Sequence, residues 1–268
     1  LKKDTLYFSD DLIFNQLKRI TLSESLSISG DTSLQNLEAL QPFYNLRQLD
    51  LSYTRIQDLS PIRHFTDLKF LNAAYSLVHD ISPLKYNSGL QYLDLSFTLI
   101  ESVKGIERFV NLEILNLSHT HPIDIEGIEN LRSLKELKLS HVHLPQSEFD
   151  RLSTLNQLDY LKISGTNIQN LKPVASLNIL SRLDIRSTQI TDITPIAGCK
   201  NLKIINLEGA PLSSLLPLLV LPKVEKIYCD NTRISKKQAY DFMSKKPGTL
   251  VIHNSRYLIN WWESLSEA

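Results

Sequence analysis

The sequence predicts an α/β fold: a right-handed solenoid with a curved parallel β-sheet on its concave face and short 3-10 or helical turns on its convex face. Three observations predict it. Apolar residues recur with one period along most of the chain, each period contains a short alternating run of strand type, and each ends on a turn signal too brief for a full helix. Segments open at Leu46, Leu68, Leu90, Leu112, Leu134, Leu158, Leu180, Leu202 and Val224, a spacing of 22 residues with one step of 24, which makes nine registered units.

Units 46–67, 90–111 and 180–201 overlay as LxxLxLxxTxIxxIxPLxxLxx. The first, fourth and sixth positions are apolar and alternate as a strand does, sending one side inward. The ninth holds Thr54, Ser76, Thr98, Thr120, Thr166, Thr188 and Thr232, whose hydroxyls can bond backbone groups where the chain leaves the strand. Val142 and Ala210 lack that oxygen, so looser turns are expected there. In the return limb, Ser60-Pro61, Ser82-Pro83 and Thr194-Pro195 place a hydroxyl directly before proline, a helix-start signature in which the hydroxyl is expected to cap. Too few residues remain before the next strand for more than a tight helical turn. Such a unit cannot bury its apolar side alone, so stability must come from stacking.

This repeat resembles that of leucine-rich-repeat proteins, in the 22-residue class that includes internalins and phosphatase-regulator-like repeats. The resemblance covers about 46–254, and the stretches Asp80-Ile81-Ser82-Pro83-Leu84 and Asp192-Ile193-Thr194-Pro195-Ile196 are similar to the internalin return motif. Thr at the ninth place, where Asn is usual, resembles a bacterial variant. The resemblance implies an interaction scaffold and hints at a cell surface.

Residues 1–45 do not hold the register and read as an N-terminal cap with degenerate repeats, followed by repeats over 46–234. Residues 235–254 read as a C-terminal cap, in which Ser235 caps a helix ended by Pro247-Gly248 and TLVIHN adds a strand. Residues 255–268 form an amphipathic tail whose Tyr257, Leu258, Trp261, Trp262 and Leu265 either pack on the last repeat or lead into a downstream region.

Composition excludes several classes. Lys plus Arg equals Asp plus Glu at 29 each, so no bulk charge draws the chain to nucleic acid. The longest apolar run, 215–221, is far below the ~18 residues of a spanning helix. The start, LKKDTLYFSDD, has no secretion-signal pattern. Cys199 and Cys229 occupy apolar positions of the repeat and are expected to be free thiols. The expectation is a cytoplasmic protein, monomeric by itself, with secretion or a cell surface as the alternative.

Function must then sit on outward positions: the second, third, fifth, seventh and eighth of each unit. The eighth column runs Tyr53, Tyr75, Phe97, His119, His141, Gly165, Ser187, Gly209, Asn231, and the third adds Phe70, Tyr92, Ile114 and Tyr160. Strands ~4.8 Å apart would join these side chains into one aromatic surface for a protein partner, centred on Phe70, Tyr75, Tyr92 and Phe97. The competing reading is a ladder that only stabilises the sheet. The fifth column (Asp50, Asn72, Asp94, Asn116, Lys138, Lys162, Asp184, Asn206, Tyr228) turns basic midway, which either steers a partner or is a solvated face. His119, His121, His141 and His143 repeat in successive units and have zinc-ligand chemistry, against the reading that they are surface residues repeated with the unit. No phosphate loop, GxSxG, HExxH or CxxC is present, so neither an enzyme nor a cofactor is expected. The leading function is protein binding on the concave face. The alternatives are a sensor or scaffold arm of a larger protein and a metal-dependent enzyme at the histidines.

Overall fold

The computed structural model describes residues 22–121 and 124–255. The first 21 residues and the tail from 256, with its Tyr257, Leu258, Trp261, Trp262 and Leu265, lie outside the described residues. Strands β1 (Ser25–Ser27), β2 (Gln48–Asp50), β3 (Phe70–Asn72), β4 (Tyr92–Asp94), β5 (Ile114–Asn116) and β6 (Glu136–Lys138) come first in the chain. They continue as β7 (Tyr160–Lys162), β8 (Arg182–Asp184), β9 (Ile204–Asn206), β10 (Lys226–Tyr228) and β11 (Leu250–Ile252), and all eleven form one parallel sheet in sequence order. Pairing is in register, so like positions face each other: Phe70 lies opposite Tyr92, Leu71 opposite Leu93 and Asn72 opposite Asp94. The register extends to the degenerate first unit, where Leu26 meets Leu49. Among the described residues no helix is long and apolar enough to cross a membrane.

One unit shows how the core is built. Leu90, Leu93, Leu95, Ile100, Val103, Ile106 and Phe109 are all fully buried, and they merge with the same positions of neighbouring units into one continuous interior. Adjacent rows sit at strand spacing, so each unit covers the apolar side of the last. In the twentieth column, Asn87 replaces the usual apolar residue and is buried; its side-chain amide donates to the Phe65 carbonyl at 2.7 Å.

The ninth-column hydroxyls close the turn as their chemistry requires. Thr54 Oγ1 donates to the Leu51 carbonyl at 2.7 Å, Thr166 to Ile163 at 2.8 Å and Thr232 to Cys229 at 2.7 Å. The turns at Val142 and Ala210 are nevertheless not looser. Their own N–H groups reach the Leu139 and Leu207 carbonyls at 3.2 and 3.0 Å, against 3.3 and 3.4 Å at Thr120 and Thr166. Backbone and stacking hold the turn, and the hydroxyl is an addition to them.

The return limbs are 3-10 turns, such as Ser60–His64 and Thr194–Gly198. The hydroxyl before proline does not cap them, which corrects the expectation. The acceptor stands two residues earlier: Asp58, Asp80 and Asp192 carboxylates accept from the N–H of Ser60, Ser82 and Thr194 at 2.7, 2.8 and 2.8 Å. An aspartate at that place folds back on its own chain and satisfies the first orphan donor of the turn. The step of 24 is also explained: its extra residues form a short helix, α1 (Gln146–Phe149), ahead of the usual 3-10 turn. After the last full unit comes α2 (Lys236–Lys245), where the Ser235 hydroxyl accepts from Gln238 N–H and the Gln238 side chain accepts from Ser235 N–H.

Candidate partner-binding surface

The eighth column marks where the chain leaves the strand, and it does so with positive φ. Tyr53, Tyr75, Phe97, His119 and His141 lie between 56° and 58°, with Ser187 at 52° and Asn231 at 56°. Gly165 and Gly209 hold the same place at 68° and 70°. Glycine or asparagine is the ordinary tenant of such a backbone, because a Cβ there crowds the following carbonyl. Five consecutive rings are therefore a choice that the local backbone disfavours.

Those rings stack face to face. Centroids lie 4.4 Å apart from Tyr53 to Tyr75, 4.1 Å from Tyr75 to Phe97, 4.0 Å from Phe97 to His119 and 4.4 Å from His119 to His141. Their outer edges meet water: Tyr53 is 55% exposed, Tyr75 41% and Phe97 39%. Leu77 and Leu99, two places beyond the rings, are exposed as well and widen the strip. The strip runs along the rim where the strands end.

The third column makes a second row. Phe70 stacks on Tyr92 at 4.2 Å, Ile114 follows half-buried, and Tyr160 carries the Arg182 guanidinium over its ring at 4.4 Å. The two rows are not the single surface expected from strand spacing. They belong to opposite ends of three-residue strands and are separated by the polar fifth column. Burial and the Asp94 charge push the Tyr92 hydroxyl up to about 12, and that hydroxyl donates to Asp94 at 3.3 Å.

Two columns differ from the sequence reading. The seventh, taken as outward, is buried from Ser52 through Ala74, Ser96, Ser118, Ser140 and Ser164; only Arg186, Glu208 and Asp230 stand half-open. It lies beneath the ladder, where small residues let successive turns approach. The fifth column has a structural duty that strand alternation does not reveal. Asp50, Asn72, Asp94, Asn116, Asp184 and Asn206 each accept the N–H two residues on, at 2.9 to 3.1 Å. Recurrence of Asp and Asn at one position is the signal that identifies this role.

The histidines do not converge. His119 and His141 stack with an interplanar angle of 23°, which turns their ring nitrogens to the edges of parallel planes, and His121 and His143 occupy the exposed tenth position. Among the described residues no group of three or more His, Cys, Asp or Glu is placed to hold a metal ion. Cys199 and Cys229 are free and buried; burial pushes their thiols up to about 11 and about 12.

One parallel strand per period, a hydroxyl-closed turn and a 3-10 return define the class: the chain is a leucine-rich-repeat solenoid. The family model for Leucine Rich repeats (2 copies) matches residues 44–86. The fold is similar to an internalin of Listeria monocytogenes at 19% identity and a TM-score of 0.63, over 88% of this chain and 81% of that one. It is similar to a leucine-rich-repeat protein of Leptospira interrogans at 21% identity and a TM-score of 0.76, over 84% of this chain and 59% of that one. It also resembles the plant peptide hormone receptor RGFR1, solved in complex with RGF2, at 14% identity and a TM-score of 0.62, over 82% of this chain and 42% of that one. No curated protein matches the chain.

Proposed function

We propose that this chain is a non-enzymatic recognition module that binds a protein partner on the sheet side of the solenoid, anchored on the rim ladder. The observation that carries the reading is the run of rings at Tyr53, Tyr75, Phe97, His119 and His141 on backbone suited to glycine. Placing a side chain at such a φ costs roughly 1–2 kcal/mol. A stacked aromatic pair returns about 0.5–1.5 kcal/mol beyond its buried area. Stacking and burial offset that strain, while the open edges of the ladder suit a partner. Phe70, Tyr92, Ile114 and Tyr160 form a secondary contact row. Support by analogy comes from RGFR1, a receptor of similar fold solved in complex with RGF2.

The test is affinity capture from the native organism with the wild-type chain and with Tyr75→Ala and Phe97→Ala. Partner recovery is expected to fall while thermal stability changes modestly, since single truncations at a hot spot cost about 2 kcal/mol of binding. Undiminished capture accompanied by a large loss of stability reduces the ladder to a structural device.

A further inference from the structure

The ladder ends at His141, and a cavity follows it. Gly165 takes the next place in the row, and the His141 imidazole overhangs it so closely that a Cβ there would lie 2.5 Å from its Cε1. Ser187 and Gly209 come next, so no ring fills the space. What opens is a cavity of about 300 Å³ walled by His141, Lys162, Arg186 and Glu208. Its floor is Ser140 and Ser164, whose buried hydroxyls bond each other at 2.8 Å.

Lys162 is the informative residue. Six of the nine places in its column supply Asp or Asn to hold the turn, a task that an ammonium, which has no acceptor, cannot perform. The turn therefore does not account for lysine here. Lys138, one unit earlier, lies 2.6 Å from Glu136, whereas among the described residues Lys162 has no carboxylate within ion-pair distance. Arg186 is clamped through its Nε and one terminal nitrogen by Asp184 at 3.1 and 3.0 Å, which leaves its other N–H groups to donate. With Asp184 and Glu208 opposing Lys162 and Arg186, the charges balance while His119 is neutral. Protonation of His119 tips the balance to positive.

We propose that this cavity seats the carboxylate of an Asp or Glu side chain from the partner polypeptide, held by Lys162 and Arg186 and gripped more tightly when His119 is protonated. The proposal rests on the sheet-side binding reading and specifies its partner as an acidic segment. Charge-assisted hydrogen bonds from ammonium, guanidinium and imidazolium are the strong ones, and here they converge on one space. In the free protein, burial first, then His141 and Lys162, hold His119 below its ordinary value. A carboxylate in the cavity offsets that repulsion, so binding takes up protons. Affinity then rises as pH falls from 7.5 to 5.5, a range in which Asp and Glu stay ionised.

The experiment titrates the full chain with hexaglutamate by calorimetry, with hexaglutamine as the uncharged control. Hexaglutamate alone is expected to bind, roughly tenfold tighter at pH 5.5 than at 7.5, the factor that one imidazole shifted by one pKa unit supplies. Lys162→Gln should abolish binding at both pH values without altering the melting temperature. A His119→Phe variant, which keeps a ring in the stack, should lose the gain in affinity between pH 7.5 and 5.5. Absence of hexaglutamate binding, full binding by Lys162→Gln, or an undiminished pH response in the histidine variant overturns the proposal. These results are independent of capture by the Tyr75 and Phe97 variants, so failure of the acidic site leaves the ladder reading to its own test.

Discussion

Phe97 sits at a backbone angle that suits glycine, between two rings that it touches face to face. Replacing it separates strain from stacking. Alanine loses the stack and keeps the crowded Cβ, while glycine loses the stack and relieves the crowding, so Phe97→Gly should be more stable than Phe97→Ala by about 1 kcal/mol in urea unfolding. An equal loss in both would mean that the angle carries no strain. His119 contributes a pH dependence of its own. Burial, then His141 and Lys162, lower its proton affinity in the folded state, so the unfolded chain binds the proton more readily. Its contribution is complete above the ordinary value of 6.5 and is lost as pH falls below it. The melting temperature should drop between pH 7.5 and 5.5, and His119→Phe, which keeps a ring in the stack, should drop less. At this scale the sequence displays which residues recur, and the ladder and the paired histidines are legible from the period alone. Their positive φ is not, because Tyr, Phe and His are unusual at such an angle and only Gly165, Gly209 and Asn231 in the same column hint at it.

The return turn shows how an element can be legible while its chemistry is not. Ser60-Pro61 and Thr194-Pro195 locate the 3-10 turns correctly, but the capping acceptors are Asp58 and Asp192. The hydrogen bonds from Ser60 and Thr194 hold both carboxyls below the usual carboxylate value. Asp58→Ala and Asp192→Ala are each expected to cost about 1 kcal/mol at pH 7, as loss of a capping acceptor does. Because the folded carboxyls are the stronger acids, that contribution is present above about 3.8 and fades as pH falls through the lower folded value. Asp192→Asn should retain most of the stability at pH 7 and respond less to acid in denaturant unfolding. Asn170, which accepts Lys172 N–H at 2.7 Å in its own unit, is the precedent. The longer step has the same character: its position is evident from the spacing, but nothing in periodicity says that the added residues wind into α1 before a 3-10 turn.

For the whole molecule, stability is a sum over neighbouring units, and no unit has a core of its own. Phe109 is fully buried in a row whose neighbours belong to the units on either side. Phe109→Ala should cost about 3–5 kcal/mol by leaving a cavity shared between units. Chemical denaturation is the measurement, and a cost under about 1 kcal/mol would show that the units do not share their core. Burial along the stack was legible in advance, since among the described residues the apolar positions of the repeat, including Cys199 and Cys229, lie inside. By contrast, the burial of the seventh column, the separation of the two aromatic rows and the cavity after His141 arise between units. The sequence by itself determined the period, the inward positions and the identity of each recurring column, because these depend on spacing along one chain. Only the tertiary structure decided which columns lie beneath others and which charges share a cavity, because those relations are distances across the stack, between residues a full period apart.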